Sequence, residues 1–121
     1  MENGIDRRIE FARYLIEQRL AERVRMGEIA AEIGLSPSRF AHLFRSVVGV
    51  SPLRFLRQLR IERARQMLEE TSLPIKDVMR QAGCTDKSHF SKDFRARFGV
   101  GARQYRAAFR SEPRTPLASG E

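Results

Sequence analysis

Apolar residues recur along this chain at steps of three and four, and almost nowhere at steps of two. In "IDRRIEFARYLIEQRLAE", Ile5, Ile9, Ala12, Ile16 and Leu20 fall on one stripe, which predicts an amphipathic helix over 5–22. A short helix follows over 26–33, and Gly34 can take the left-handed conformation that ends it. Ser36-Pro37 combines an N-cap with proline at the first helical position, opening a third helix that reaches about Val48 before Gly49. Ser51-Pro52 repeats that start signal for a long arginine-rich helix over 52–70. In it Phe55, Leu56 and Leu59 gather near one end and Ala64, Met67 and Leu68 near the other, as suits a helix packed against a separate body at each end. Thr71, Ser72 and Pro74 mark a turn, and further helices are predicted over 75–82, 86–98 and 102–110, with Gly83 and Gly99 as stops. Sustained alternation and the Asn-Gly or Asp-Gly hairpin signal are missing from the sequence, so no strand is predicted.

The pattern is written twice. Met26, Ile29, Ala30 and Ile33 correspond to Ile75, Val78, Met79 and Ala82 at an offset of 49. After the turn the offset is 50, because the second copy carries one extra turn residue, and Phe40, Phe44, Arg45, Gly49 and Val50 then match Phe90, Phe94, Arg95, Gly99 and Val100. Phe55 likewise matches Tyr105. A short helix, a glycine turn and a longer helix make the helix-turn-helix pattern. The expected fold is therefore all-α, a seven-helix bipartite domain in which a long linker helix joins two helix-turn-helix units. The units are assigned to 1–51 and 71–110, the linker to 52–70, and the Pro- and Ser-rich tail 111–121 is read as unstructured.

Charge gives this fold a direction. Twenty-three Lys and Arg against fifteen Asp and Glu leave +8 on 121 residues, with a sequence pI near 10.9, a balance that favours polyanionic partners. In the longer helix of the first unit, Phe40, Leu43, Phe44 and Val47 share the core side. Ser38, Ala41, His42 and Arg45 face the other way at the same spacing. In the second, Phe90, Phe94 and Phe98 take the core side and Ser88, Ser91, Lys92 and Arg95 project outward, with Lys87 beside them. No acid stands among these outward residues. Small side chains let a helix approach a major groove, serine can meet several base edges, and Lys or Arg can meet guanine acceptors or phosphate. The helix N-termini near Ser36–Ser38 and Thr85–Lys87 add backbone donors.

Catalytic and metal chemistry find little support. His42 has no serine, cysteine or carboxylate spaced to work with it, and His89, next to Phe90, is read as a packing or capping residue. Cys84 stands in the turn where the first copy has Leu35; one cysteine makes no internal disulfide, and two histidines add no zinc spacing. Glu28 and Asp77 are first-turn acids suited to helix N-termini. No enzyme, cofactor or metal is expected. The sequence has no apolar run near the ~20 residues of a membrane span and no signal-peptide pattern at its start, which fits a reducing cytoplasmic setting.

The stretch "RIERARQMLEETSLPIKDVMRQAGCTDKSHFSKDFRARFGVGARQYR" resembles the signature of the AraC/XylS transcription regulators, and the likeness to their DNA-binding domain extends over about 5–110. One departure is Gly101-Ala102 where that family commonly has Ser-Pro, which weakens the cap of the last helix. The resemblance implies a sequence-specific regulator that places its two units in successive major grooves of double-stranded DNA. By position it implies contacts from Ser38, Arg39, Ala41, His42 and Arg45, and from Lys87, Ser88, Ser91, Lys92 and Arg95. Because the two sets differ, the expected site is asymmetric. A linker of about 18 residues spans roughly 27 Å at ~1.5 Å per residue, slightly less than the ~34 Å between major grooves, so bent DNA is expected. The isolated domain is expected to be monomeric. The second class considered is a protein-interaction module whose arginine-rich linker docks an acidic partner such as RNA polymerase. Only Met1 to Gly4 precede the first helix, which fits either a small stand-alone regulator or the C-terminal part of a longer chain.

Overall fold

The computed structural model describes residues 2–111, with side chains from residue 7 onward. The described residues form seven helices and no strand: α1 (Glu2–Gln18), α2 (Met26–Glu32), α3 (Pro37–Val48), α4 (Pro52–Glu70), α5 (Ile75–Gln81), α6 (Lys87–Phe98) and α7 (Ala102–Ser111). The chain divides into two compact units between Arg60 and Ile61, inside α4. Each unit has its own core.

In the first unit Ile9, Ala12, Leu15 and Ile16 of α1, Ile29, Ala30 and Ile33 at α2, Phe40 and Phe44 of α3, and Phe55 and Leu56 of α4 are buried together. In the second, Ile61, Ala64, Met67 and Leu68 of α4 meet Val78, Met79, Ala82, Phe90, Phe94 and Ala102. The two apolar ends expected of the long helix thus enter two different cores. Aromatic rings close each unit in the same way. Phe44 meets Phe55 edge-on at 5.4 Å between centroids, and Phe94 meets Tyr105 at 5.6 Å. Such edge-to-face pairs satisfy the ring quadrupoles while filling the core.

The duplication extends beyond the helix-turn-helix pairs. Ile9, Ala12, Leu15 and Ile16 are matched in spacing and burial by Ile61, Ala64, Met67 and Leu68, so the first half of α4 closes unit one and its second half opens unit two. Arg60 donates to the carbonyls of Leu20 and Glu22, both at 2.8 Å. Arg110, its counterpart at the end of α7, donates to the carbonyl of Thr71 in the turn after α4, a carbonyl that Arg106 also holds. Polarity differs on the outside. The exposed Phe11, Tyr14, Val47 and Leu53 of the first unit stand where the second has Arg63, Gln66, Arg97 and Arg103.

Several boundaries and assignments differ from the sequence reading. The first helix runs from Glu2 to Gln18 rather than over 5–22; past it the amide of Glu22 turns back to the carbonyl of Arg19 at 2.9 Å, and Arg60 donates to the carbonyls of Leu20 and Glu22 in that turn. Asp86 caps α6 instead of beginning it, and Ser111 closes α7 rather than opening the tail. Val47 is not a core residue. It stays 39% exposed, while Val48 and Val50 pack against the cluster in its place. Leu15, absent from the expected stripe, is buried. The side chain of Ile5 and the tail 112–121 lie outside the described residues.

Candidate nucleic-acid interface

Both turns that launch the longer helices are built from the same hydrogen bonds. Gly34 adopts φ 75°, which lets the amide of Leu35 reach back to the carbonyl of Ala30 at 2.9 Å. Gly83 adopts φ 85°, and the amide of Cys84 reaches Met79 at 2.8 Å. This six-to-one bond is the Schellman stop, available cheaply only to a residue without Cβ. Caps then start the next helices. Ser36 Oγ accepts from the amide of Arg39 at 3.2 Å, and Asp86 Oδ1 accepts from the amide of His89 at 3.0 Å. That amide is the largest cause holding the Asp86 carboxyl below its ordinary pKa.

From Phe40 to Val50 and from Phe90 to Val100 the succession of buried, half-buried and exposed positions is identical. In each copy the two phenylalanines are buried, so the opposite face is fixed toward solvent. Ser38, Arg39, Ala41, His42 and Arg45 are all exposed on α3, and Lys87, Ser88, Ser91, Lys92 and Arg95 are all exposed on α6. The α3 sequence contains no acid, and the one acid within α6, Asp93, is half-buried at the position of Leu43. Each unit therefore presents one helix whose outward face carries hydroxyls, small residues and cations.

Arg95 is less central on its face than its spacing suggests. One of its guanidinium nitrogens lies 3.5 Å from where a Cβ on Gly101 would sit, at the start of α7. A side chain at Gly101 would meet this arginine only at ordinary contact distance, and despite the Gly101-Ala102 departure α7 still begins at Ala102. His89 is neither a packing residue nor a capping side chain. Its ring is 70% exposed with Nδ1 4.0 Å from Asp86 Oδ2, and only its backbone amide takes part in the cap. Cys84 is half-buried, forms no disulfide and packs against the second core, as expected from Leu35 in the first copy.

Among the described residues no cluster of His, Cys, Asp or Glu could hold a metal ion, and no helix is long and apolar enough to cross a membrane. What the arrangement can do chemically is present hydrogen-bond donors and positive charge along two exposed helices.

A family model described as a helix-turn-helix domain matches residues 29–108. The arabinose operon regulatory protein of Escherichia coli is 35% identical over 104 residues, which cover 85% of this chain and 36% of that protein. The HTH-type transcriptional regulator GbdR of Pseudomonas aeruginosa is 36% identical over 92 residues, covering 76% of this chain and 25% of that protein. The chain thus spans about a third or less of the length of these relatives. Among solved structures, a Chromobacterium violaceum transcriptional regulator described as having an AraC-type DNA-binding domain superimposes with a TM-score of 0.80 at 31% identity, covering 92% of this chain and 98% of that one. The DNA-binding domain of the global transcriptional factor AdpA, solved in complex with a target DNA, gives a TM-score of 0.82 at 26% identity over 88% of this chain and 97% of that one.

Proposed function

Because the chain belongs to the AraC/XylS family of helix-turn-helix domains, we propose that it binds double-stranded DNA sequence-specifically and regulates transcription, with α3 and α6 as its recognition helices. The observation that carries this reading is the pair of equivalent helix faces, both exposed, both cationic, and both free of exposed acids beyond the cap. The DNA-binding domain of AdpA, which most of this chain resembles, was solved with a target DNA, which supports the same role here.

At finer grain, α3 and α6 enter adjacent major grooves of one site. Ser38, Ala41 and His42 read base edges in one block, and Ser88 and Ser91 read them in the other. Arg39, Arg45, Lys87, Lys92 and Arg95 supply cations for phosphates or guanines. The faces differ at Ala41/Ser91 and His42/Lys92, so the preferred site is asymmetric. The single helix α4 runs through both units with 19 residues, about 28 Å at ~1.5 Å per residue. That is close to one turn of duplex, ~34 Å, and the remainder is met by bending the DNA.

The rival reading, an arginine-rich linker docking an acidic partner such as RNA polymerase, has fewer arginines to work with than the sequence offers. Arg60 is held by carbonyls of its own unit and Arg65 by Glu62 and Glu69. Fluorescence anisotropy over a range of salt concentrations tests the main reading. Lys92→Ala is expected to weaken binding to every duplex and to reduce the slope of log K against log salt by about 1. Binding whose salt slope is near zero in the unaltered chain would contradict it.

A further inference from the structure

A chain of charged hydrogen bonds ties α6 to α4 and α7 in the second unit. Arg97, in the last turn of α6, donates to Glu62 Oε2 at 2.9 Å. Arg65 donates to Glu62 Oε1 at 2.9 Å and to Glu69 Oε2 at 2.7 Å, and the Tyr105 hydroxyl donates to the same Glu69 oxygen. Both oxygens of Glu62 are engaged, one by each arginine. Glu69, and then Glu62, hold the Arg65 guanidinium more firmly charged than usual, while burial and then Glu69 push the Tyr105 hydroxyl up.

The first unit carries the same frame without its last link. Glu10 and Arg13 occupy the positions of Glu62 and Arg65 and pair at 3.2 Å, and Arg13 lies over the Phe55 ring where Arg65 meets Tyr105. At the position of Arg97, however, stands Val47, which offers no donor, and Phe55 has no hydroxyl. A charged clasp holds the last turn of α6 to α4; at α3 the position of Arg97 is an exposed valine.

We propose that Glu62 is a positioning residue for DNA reading: by gripping Arg97 it narrows the roll that the buried phenylalanines still leave to α6, so that the second unit discriminates bases more strictly than the first. The inference rests on the DNA-binding reading above. Hydrogen bonds to base edges weaken steeply once their angles degrade, so a helix that can roll accommodates wrong bases that a fixed helix rejects. The Glu62 and Arg97 side chains are 36% and 46% exposed, and a pair so open adds little to folding stability. A change of preference without a change of melting temperature therefore separates the positioning role from a merely structural one.

The test compares affinities for the preferred duplex and for each of its single-base variants. Base pairs read by α6 are identified as those whose preference changes in Ser91→Ala, and those read by α3 as those that respond to His42→Ala. Glu62→Gln is expected to lower discrimination at the α6 base pairs by about threefold or more, part of what a base contact supplies. It leaves the α3 base pairs, the salt slope and the melting temperature as they were. Arg97→Lys, which keeps the pair, retains the original preferences. Val47→Arg, which offers Glu10 a second partner on α3, sharpens preference on the α3 side. Unchanged preferences in Glu62→Gln, or a loss spread evenly over both blocks with a lowered melting temperature, would overturn the proposal. A parent chain that prefers no sequence at all would overturn the DNA-reading function itself, an outcome distinct from a parent and a Glu62→Gln variant that discriminate equally well.

Discussion

Ser36 and Asp86 perform one task with different chemistry. Each accepts from the amide three residues on, but Asp86 does so with a charge, which the N-terminal end of the helix dipole favours. The carboxyl is held below its ordinary value of 3.8, so its contribution is present above that value and is lost as pH falls through the depressed one. The cap of α6 is thus expected to weaken on acidification below about 3.8, while the hydroxyl cap of α3 is not. Amide exchange at His89 and Arg39 across pH 2–6 checks the contrast, and Asp86→Ser should abolish it. Ser36→Ala is expected to cost about 1 kcal/mol in thermal or denaturant unfolding. Sequence reading found the outward residues of both helices because their spacing against fixed phenylalanines leaves only one face free. It placed the start of α6 one residue early, since Thr85 and Asp86 are both capping types and only geometry chooses between them. It also assigned Val47 to the core, because periodicity gives a direction around a helix but does not say where the neighbouring body ends.

Elements were legible where their signals are local. Gly49 and Gly99 sit at φ 101° and 84° and stop α3 and α6 where the sequence placed those stops. The end of α1 was less legible, because the turn that follows it is held by Arg60, forty residues away along the chain. This guanidinium holds the carbonyls of Leu20 and Glu22 in a turn that no propensity encodes. Arg60→Ala is expected to destabilise the first unit by about 2 kcal/mol, the scale of charged hydrogen bonds lost from a partly buried site. Urea unfolding followed at residues of α1 measures it, and Arg60→Lys, a single rotating donor group in place of a planar fork, should recover only part of the loss.

At the scale of the whole molecule the repeat is larger than the sequence reading made it. The helix-turn-helix pairs were matched, but α1 and the second half of α4 were not, because a single uninterrupted helix serves as the last element of one unit and the first of the next. Only the shared spacing of Ile9, Ala12, Leu15 and Ile16 with Ile61, Ala64, Met67 and Leu68, and the equivalent carbonyl-holding arginines Arg60 and Arg110, expose it. Two copies of one body with unequal outward faces suit two unequal halves of a DNA site. Selection of bound duplexes from a random pool tests this most directly. The account predicts one non-palindromic motif of two blocks centred about 10 base pairs apart, with His42→Ala altering preference in one block and Ser91→Ala in the other. Recovery of no motif, of a palindrome, or of a single block altered by both substitutions would contradict it.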